Sequence, residues 1–477
     1  MSRSPPRPRP PRPRRSASES SKPLSKTQFL RAVAAGDAPV VELGVSLGFH
    51  FENFRGVHGG SAAHAAARAG QPAILARLLD AGCPLDAPDS IGCTPLLVAC
   101  SVDALAPGAS ECAILLIKRG ADVHARSEEG WTSLAAAALA GRDSVVESLL
   151  RAGADPDSSE TCGDTALIDA VIAPSPACVR LLLDAGASLD ARGQSGMTAL
   201  AWASELSGPE SLESSRLLVA AGADIHALDD DGRAPLSLAC GQGAAATARL
   251  LLDSGADLWL LDAEGLDALA HACGGSSPEC AQMLLEAGAD PDRHDPKGST
   301  PLIRACQSID SVGAASARCC SALLAAGADP NRATDAGETA LFWAARFGLG
   351  AAAGVLLRAG ALQTPTFDGT TPLMAACEQD CAAVARLLLK RGGDADARDT
   401  DGNTALIRAS LDRAPLCARV LLAAGADIDA ANLAGRTAWT DADGATRQAL
   451  LEARASRELS ALEASTPSTP SGSRSRL

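Results

Sequence analysis

One phrase recurs along the chain: Gly, any residue, Thr, Pro or Ala, Leu, two variable residues, then Ala. It reads Gly92-Cys93-Thr94-Pro95-Leu96, Gly163-Asp164-Thr165-Ala166-Leu167, Gly298-Ser299-Thr300-Pro301-Leu302 and Gly402-Asn403-Thr404-Ala405-Leu406. The leading glycines stand at 59, 92, 130, 163, 196, 232, 265, 298, 337, 369, 402 and 435. Seven of their spacings are 33, and the others are 38, 36, 39 and 32. A period of this length marks an array in which each small unit buries its apolar face against the next. Composition agrees. Of the 477 residues 47% are hydrophobic, but only 3% are aromatic and none is Tyr, so Ala and Leu must build a core of small, close-packed helices.

A second phrase follows the first: a Leu-Leu pair, a short link and Gly-Ala-Asp. Examples are Leu149-Leu150 before Gly153-Ala154-Asp155 and Leu251-Leu252 before Gly255-Ala256-Asp257. Thr supplies a hydroxyl N-cap, and Pro follows where a helix has no N–H to lose. Ala and Leu three and four apart make one buried helix face. The second helix carries the Leu pair and stops at a Gly suited to a left-handed C-cap. Asp, Gly and Asn cluster between repeats, where the chain turns tightly.

These phrases resemble the ankyrin repeat over about residues 27–455. The resemblance implies an all-α solenoid of about 12–13 helix-turn-helix units with short projecting turns. The expected organisation is a disordered Pro/Arg-rich arm (1–26), the array (27–463) and a disordered Ser/Thr/Pro tail (464–477). An N-terminal unit around Phe29–Asn53 and a last unit from Gly435 depart from both phrases, as capping repeats do. The signature His survives only as His64. Elsewhere its place holds Leu97, Ile168, Ser237, Ile303, Phe342, Met374 or Ile407, which predicts packing in place of a polar network. The units from Gly92, Gly196 and Gly298 are longer by five, three and six residues. The excess is expected as longer loops at 101–110, 205–213 and 307–317, lining one edge.

Net charge is −15, unevenly spread: residues 1–26 carry +7 and residues 27–463 carry −24. So acidic a body repels nucleic acid and anionic membrane and favours neutral or basic protein partners. No apolar run is long enough for a membrane helix and the first 26 residues hold no apolar signal region, so an intracellular, cytoplasmic or nuclear, protein is expected. The 15 Cys then read as reduced thiols. Ten are repeat-locked: Cys100, Cys240, Cys273, Cys306 and Cys377 lie six residues after the Thr place, and Cys112, Cys178, Cys280, Cys319 and Cys417 eight before the Gly of the second phrase. Both places are interior, where Cys serves as a small hydrophobe. Cys377 and Cys381 stand one helical turn apart without two further ligands nearby, too few for a metal site.

No phosphate loop or nucleophile elbow is present, the seven His are scattered, and most Asp residues sit in turns. No catalytic residue, cofactor or metal is assigned, and the expected function is a non-catalytic scaffold binding a protein on the concave face and turns. The fourth residue after each Thr place varies within a nearly constant framework: Asp169, Trp202, Leu238, His271, Arg304, Trp343, Ala375 and Arg408. A core position would keep one size and polarity, so this line is expected to face the partner, with Phe342 and Phe347 flanking Trp343. Trp259 and Leu261 form an apolar pair on a turn where most repeats are small or polar, a second expected contact. In the arm, Arg7, Pro10, Pro13, Arg14 and Arg15 suit a proline-recognition groove or a localisation signal, which suggests a targeting or regulatory subunit as the alternative. In the tail, Thr466-Pro467 and Thr469-Pro470 are a phosphorylation cue.

Overall fold

A computed structural model describes residues 24–48, 59–102, 106–308 and 313–465. Arg7, Pro10, Pro13, Arg14, Arg15 and the Thr-Pro sites lie outside these residues. Twenty-five α-helices, α1 to α25, form among the described residues, with isolated bridges in place of strands. The chain divides into two compact units, Met1–Asp155 and Pro156–Leu477. In the first, α1 (Lys26–Ala35) to α8 (Asp143–Arg151) make four helix pairs, and in the second α9 (Ala166–Ile172) to α24 (Pro415–Ala423) make eight pairs followed by α25 (Gly444–Ser465). Within each unit first helices pack on first helices and second on second, the all-α stacking of a solenoid.

The local chemistry acts where the two phrases place it. Thr94, Thr132, Thr198, Thr300, Thr339, Thr371 and Thr404 each accept a hydrogen bond from the backbone N–H three residues on, capping a first helix. The Gly ending a second helix is required for its backbone alone. Gly153 has φ +90° with nothing within 4 Å of an added Cβ. Gly92, opening a first phrase, is held twice over: φ is +78°, and a Cβ would lie 2.9 Å from the Glu128 nitrogen of the next repeat.

Two boundary expectations need correction. The extra residues of the unit from Gly196 make no longer loop. Its second helix, α12 (Pro209–Ala221), has 13 residues, against nine in α10 (Pro176–Asp184). Pro209 at the first turn with Glu210 behind it starts the helix early, and Ser211, Ser214 and Ser215 are small enough to bury against the neighbours. In the unit from Gly298, α18 (Ala314–Ala325) likewise takes up part of the excess with 12 residues. At the C-terminus, the first helix of the unit from Gly435 is reduced to a turn, and α25 (Gly444–Ser465) runs past residue 463.

Where the signature His is replaced the buried residue is mostly apolar, as at Ile168, Ile303, Met374 and Ile407, with Ser237 a buried polar exception. His64, which keeps the place, accepts at Nδ1 from the Ser61 N–H (2.9 Å), and its Nε2 lies 2.9 Å from the Cys93 carbonyl of the next repeat. All ten repeat-locked thiols are buried. Burial pushes the Cys100 and Cys112 thiols up to about 12.

Candidate partner-binding site

The variable line sits on the first helices. In the second unit these are α9 (Ala166–Ile172), α11 (Ala199–Glu205), α15 (Ala268–Gly274), α17 (Pro301–Gln307), α19 (Ala340–Arg346) and α23 (Ala405–Leu411), together with α13 (Pro235–Gly241) and α21 (Pro372–Glu378). Trp202, His271, Arg304, Trp343 and Arg408 are half-buried there, while Asp169, Leu238 and Ala375 are buried. This is the face of the first helix that opens to solvent when the side chain is long.

The charged members of the line face an internal acid, a pairing that sequence reasoning missed. His271 Nε2 lies 2.8 Å from Asp262 Oδ2, Arg304 Nη2 donates to Asp295 Oδ2 at 3.1 Å, and Arg408 Nη2 donates to Asp399 Oδ2 at 2.8 Å. Each acid stands nine residues before its partner on the line and three before the leading glycine. Its other oxygen closes the turn: Asp399 Oδ1 accepts from Asp401 N and Asn403 N, and Asp295 Oδ1 from Lys297 N and Ser299 N. One carboxylate thus builds the turn and anchors the basic side chain on the following helix. The signal was present as an Asp at a fixed offset, but the offset acquires meaning only when the turn folds back on the helix. Arg304, Arg408 and His271 therefore have partners within the chain.

The aromatic members divide. Trp202 packs on Met197, Ala201 and Leu238, filling the space between adjacent first helices, and its buried Nε1 has no hydrogen-bond partner among the described residues. Phe342 is buried in the place that Ile303 and Met374 fill in other repeats, so it belongs to the packing and offers no surface. It meets Trp343 edge-on (5.9 Å, 88°), and Phe347, exposed, stacks on the other side of Trp343 (5.5 Å, 24°). The Arg346 guanidinium lies 5.4 Å from the Trp343 ring centre.

Trp259 and Leu261 project from a turn and are 47% and 41% exposed. The turns are joined by a ladder. The fourth residue after the Gly of the second phrase accepts from the Asp N–H of the next turn: Asp190 from Asp224 (3.0 Å), His226 Nε2 from Asp257 (3.1 Å) and Asp396 from Asp427 (2.8 Å). Asn331 at the same place accepts from the Leu362 N–H (2.7 Å). Trp259 occupies this place in its own repeat, where an indole N–H cannot accept. The Arg293 guanidinium of the next turn lies 5.6 Å from its ring centre instead. A rung of the ladder has been exchanged for an exposed aromatic ring with a cation on it.

In the first unit, Ile91, Cys93, Leu97, Val102, Trp131 and Leu139 help to line an apolar cavity of about 230 Å³. No group of three or more His, Cys, Asp or Glu among the described residues is arranged to hold a metal ion. No helix among them is long and apolar enough to cross a membrane.

Comparison with known proteins follows the same pattern. The family described as "Ankyrin repeats (3 copies)" matches residues 29–127, 64–160, 132–229, 209–295, 236–334 and 356–432. Human neurogenic locus notch homolog protein 4 is 41% identical over 86 residues, which is 18% of this chain and 4% of that protein. The crystal structure of the human ASB11 ankyrin repeat domain is 28% identical and aligns with a TM-score of 0.41 over 46% of this chain and 98% of its own.

Proposed function

The chain belongs to the ankyrin-repeat family, a family of non-catalytic protein-interaction modules, and from that premise we propose that it is a scaffold holding a partner protein on its projecting turns and on the concave face expected of such an array. The observation that carries this reading is Trp259. An exposed Trp at a ladder position forgoes a hydrogen bond to the next turn worth about 1 kcal/mol, gains only the Arg293 contact on its ring in the free chain, and leaves much of a large apolar ring in water. Binding a partner would bury the ring, and Trp and Arg are among the residue types enriched where a few side chains dominate an interface. Leu261 beside it, and the Trp343–Phe347–Arg346 stack on the first-helix line, extend the surface with the same chemistry. The acidity of residues 27–463 favours a neutral or basic partner.

A photo-crosslinking amino acid at position 259 or 347, compared with one at the exposed Leu451, tests the proposal. Adducts from 259 and 347 with one shared protein, lost on Trp343→Ala or Arg293→Ala, are expected. Equal labelling from all three positions would overturn it.

A further inference from the structure

We infer that the corner formed by Glu160, Asp164 and Asp169 receives the guanidinium of an arginine on the bound protein, an inference that rests on the scaffold reading. Three other repeats show what this corner is built to hold. His271, Arg304 and Arg408 each place a cationic or ionisable head on an acid nine residues earlier. Asp169 has the same nine-residue relation to Glu160, so here an acid faces an acid. Of the neutral line residues, Trp202, Trp343 and Ala375 have Gly193, Thr334 and Thr366 at the facing place, where no charge needs an answer, and Leu238 faces Asp229, which Arg233 answers instead at 2.9 Å. In this repeat alone of those named, an acid stands where the others place a basic side chain, while the facing acid is retained.

Asp169 is only 3% exposed, and its Oδ2 has no hydrogen-bond partner among the described residues. A carboxylate oxygen in that state is costly unless a donor reaches it. The charges acting on Asp169 are those of Glu160 and Asp164, and both oppose its ionisation. Thr165, whose seven counterparts cap their helices, makes no cap bond here, and its buried Oγ1 has no hydrogen-bond partner among the described residues. Asp164 is fixed: its Oδ1 accepts from the Gln194 N–H at 2.9 Å. The Arg304 and Arg408 side chains in the equivalent slots are 26% and 28% exposed, so in those repeats the slot runs from the acid to solvent. Asp169 is shorter than either arginine and stays buried, and the exposed Cys162 thiol, 3.4 Å from Asp164 Oδ2 and 3.5 Å from Glu160 Oε2, stands beside the same acids. An arginine entering from outside would meet the carboxylates from the direction that an internal arginine takes in the other repeats, with a fork suited to two of them.

The test titrates the full chain with N-acetylargininamide by calorimetry at about pH 8.5, with N-acetyllysinamide and calcium chloride in parallel. One saturable site for the arginine probe is expected, weakened at least about tenfold by the isosteric Asp169→Asn. Asp169→Arg, which fills the corner as Arg304 fills its own, should abolish the site and raise Tm. Absence of saturable binding, equal binding to Asp169→Asn, or a preference for calcium would each overturn the inference. Because the probe is a small cation, its failure leaves the scaffold reading standing, and failure of the cross-linking from position 259 leaves this titration unaffected.

Discussion

Asp169→Asn should stabilise the free protein, and increasingly so as pH rises. Burial first, then Glu160 and Asp164, raise the Asp169 carboxyl from its ordinary 3.8 to about 8. The folded chain therefore keeps a proton that the unfolded chain releases. That proton's contribution is fully present below pH 3.8, is lost progressively as pH rises to about 8, and is gone above it. At about 1.4 kcal/mol per pH unit, the loss across this window reaches up to roughly 6 kcal/mol. Relaxation of the turn or entry of water would return part of this, so about 3 kcal/mol is the working expectation, a large fraction of ordinary net stability. Asn keeps the shape without the charge. The variant should match the wild type near pH 4 and exceed it by several degrees in Tm near pH 8.5. Thermal unfolding by circular dichroism, repeated across that range, reads the difference. A wild-type-to-variant gap that does not change with pH would refute the reasoning, because it would show that Asp169 ionises in the folded chain as it does in water.

Three further outcomes are expected. Arg408→Ala strands Asp399, whose side chain is nearly fully buried, and should cost about 2 kcal/mol of stability; an unchanged Tm would mean that the turn holds Asp399 without its cation. Thr300→Ala removes a formed cap and should cost about 1 kcal/mol, whereas Thr165→Ala removes a hydroxyl that caps nothing and should cost clearly less; equal losses in denaturant melts would refute the distinction. In native buffer a thiol reagent should label Cys162 first and Cys381 next, and the 13 buried thiols only after denaturant is added; rapid labelling of ten or more would place the helix faces wrongly.

The helix pairs, their number and their caps were legible from residue order alone. A cap, a helix stop and a tight turn are each made by residues within a few positions of one another, so their chemistry is written locally, and Thr300 caps α17 as its phrase predicts. The interior places of Cys100 and Cys417 were legible for a related reason: a fixed offset from a cap is a fixed angle around a helix. The variable line was visible too, but not what its members do. Arg304 and Arg408 looked like residues kept for a partner, and folding gives each an acid from its own turn, because that turn closes against the helix it precedes. Phe342 looked like part of an aromatic surface, and stacking against neighbouring helices buries it. The added residues before α12 looked like loop, and became helix once small serines found a surface to pack on. Residue order specifies contacts that close within one turn of chain. Which side chains are answered and which, like Asp169 Oδ2, find no donor among the described residues depends on groups that meet only after the turns and helices have packed.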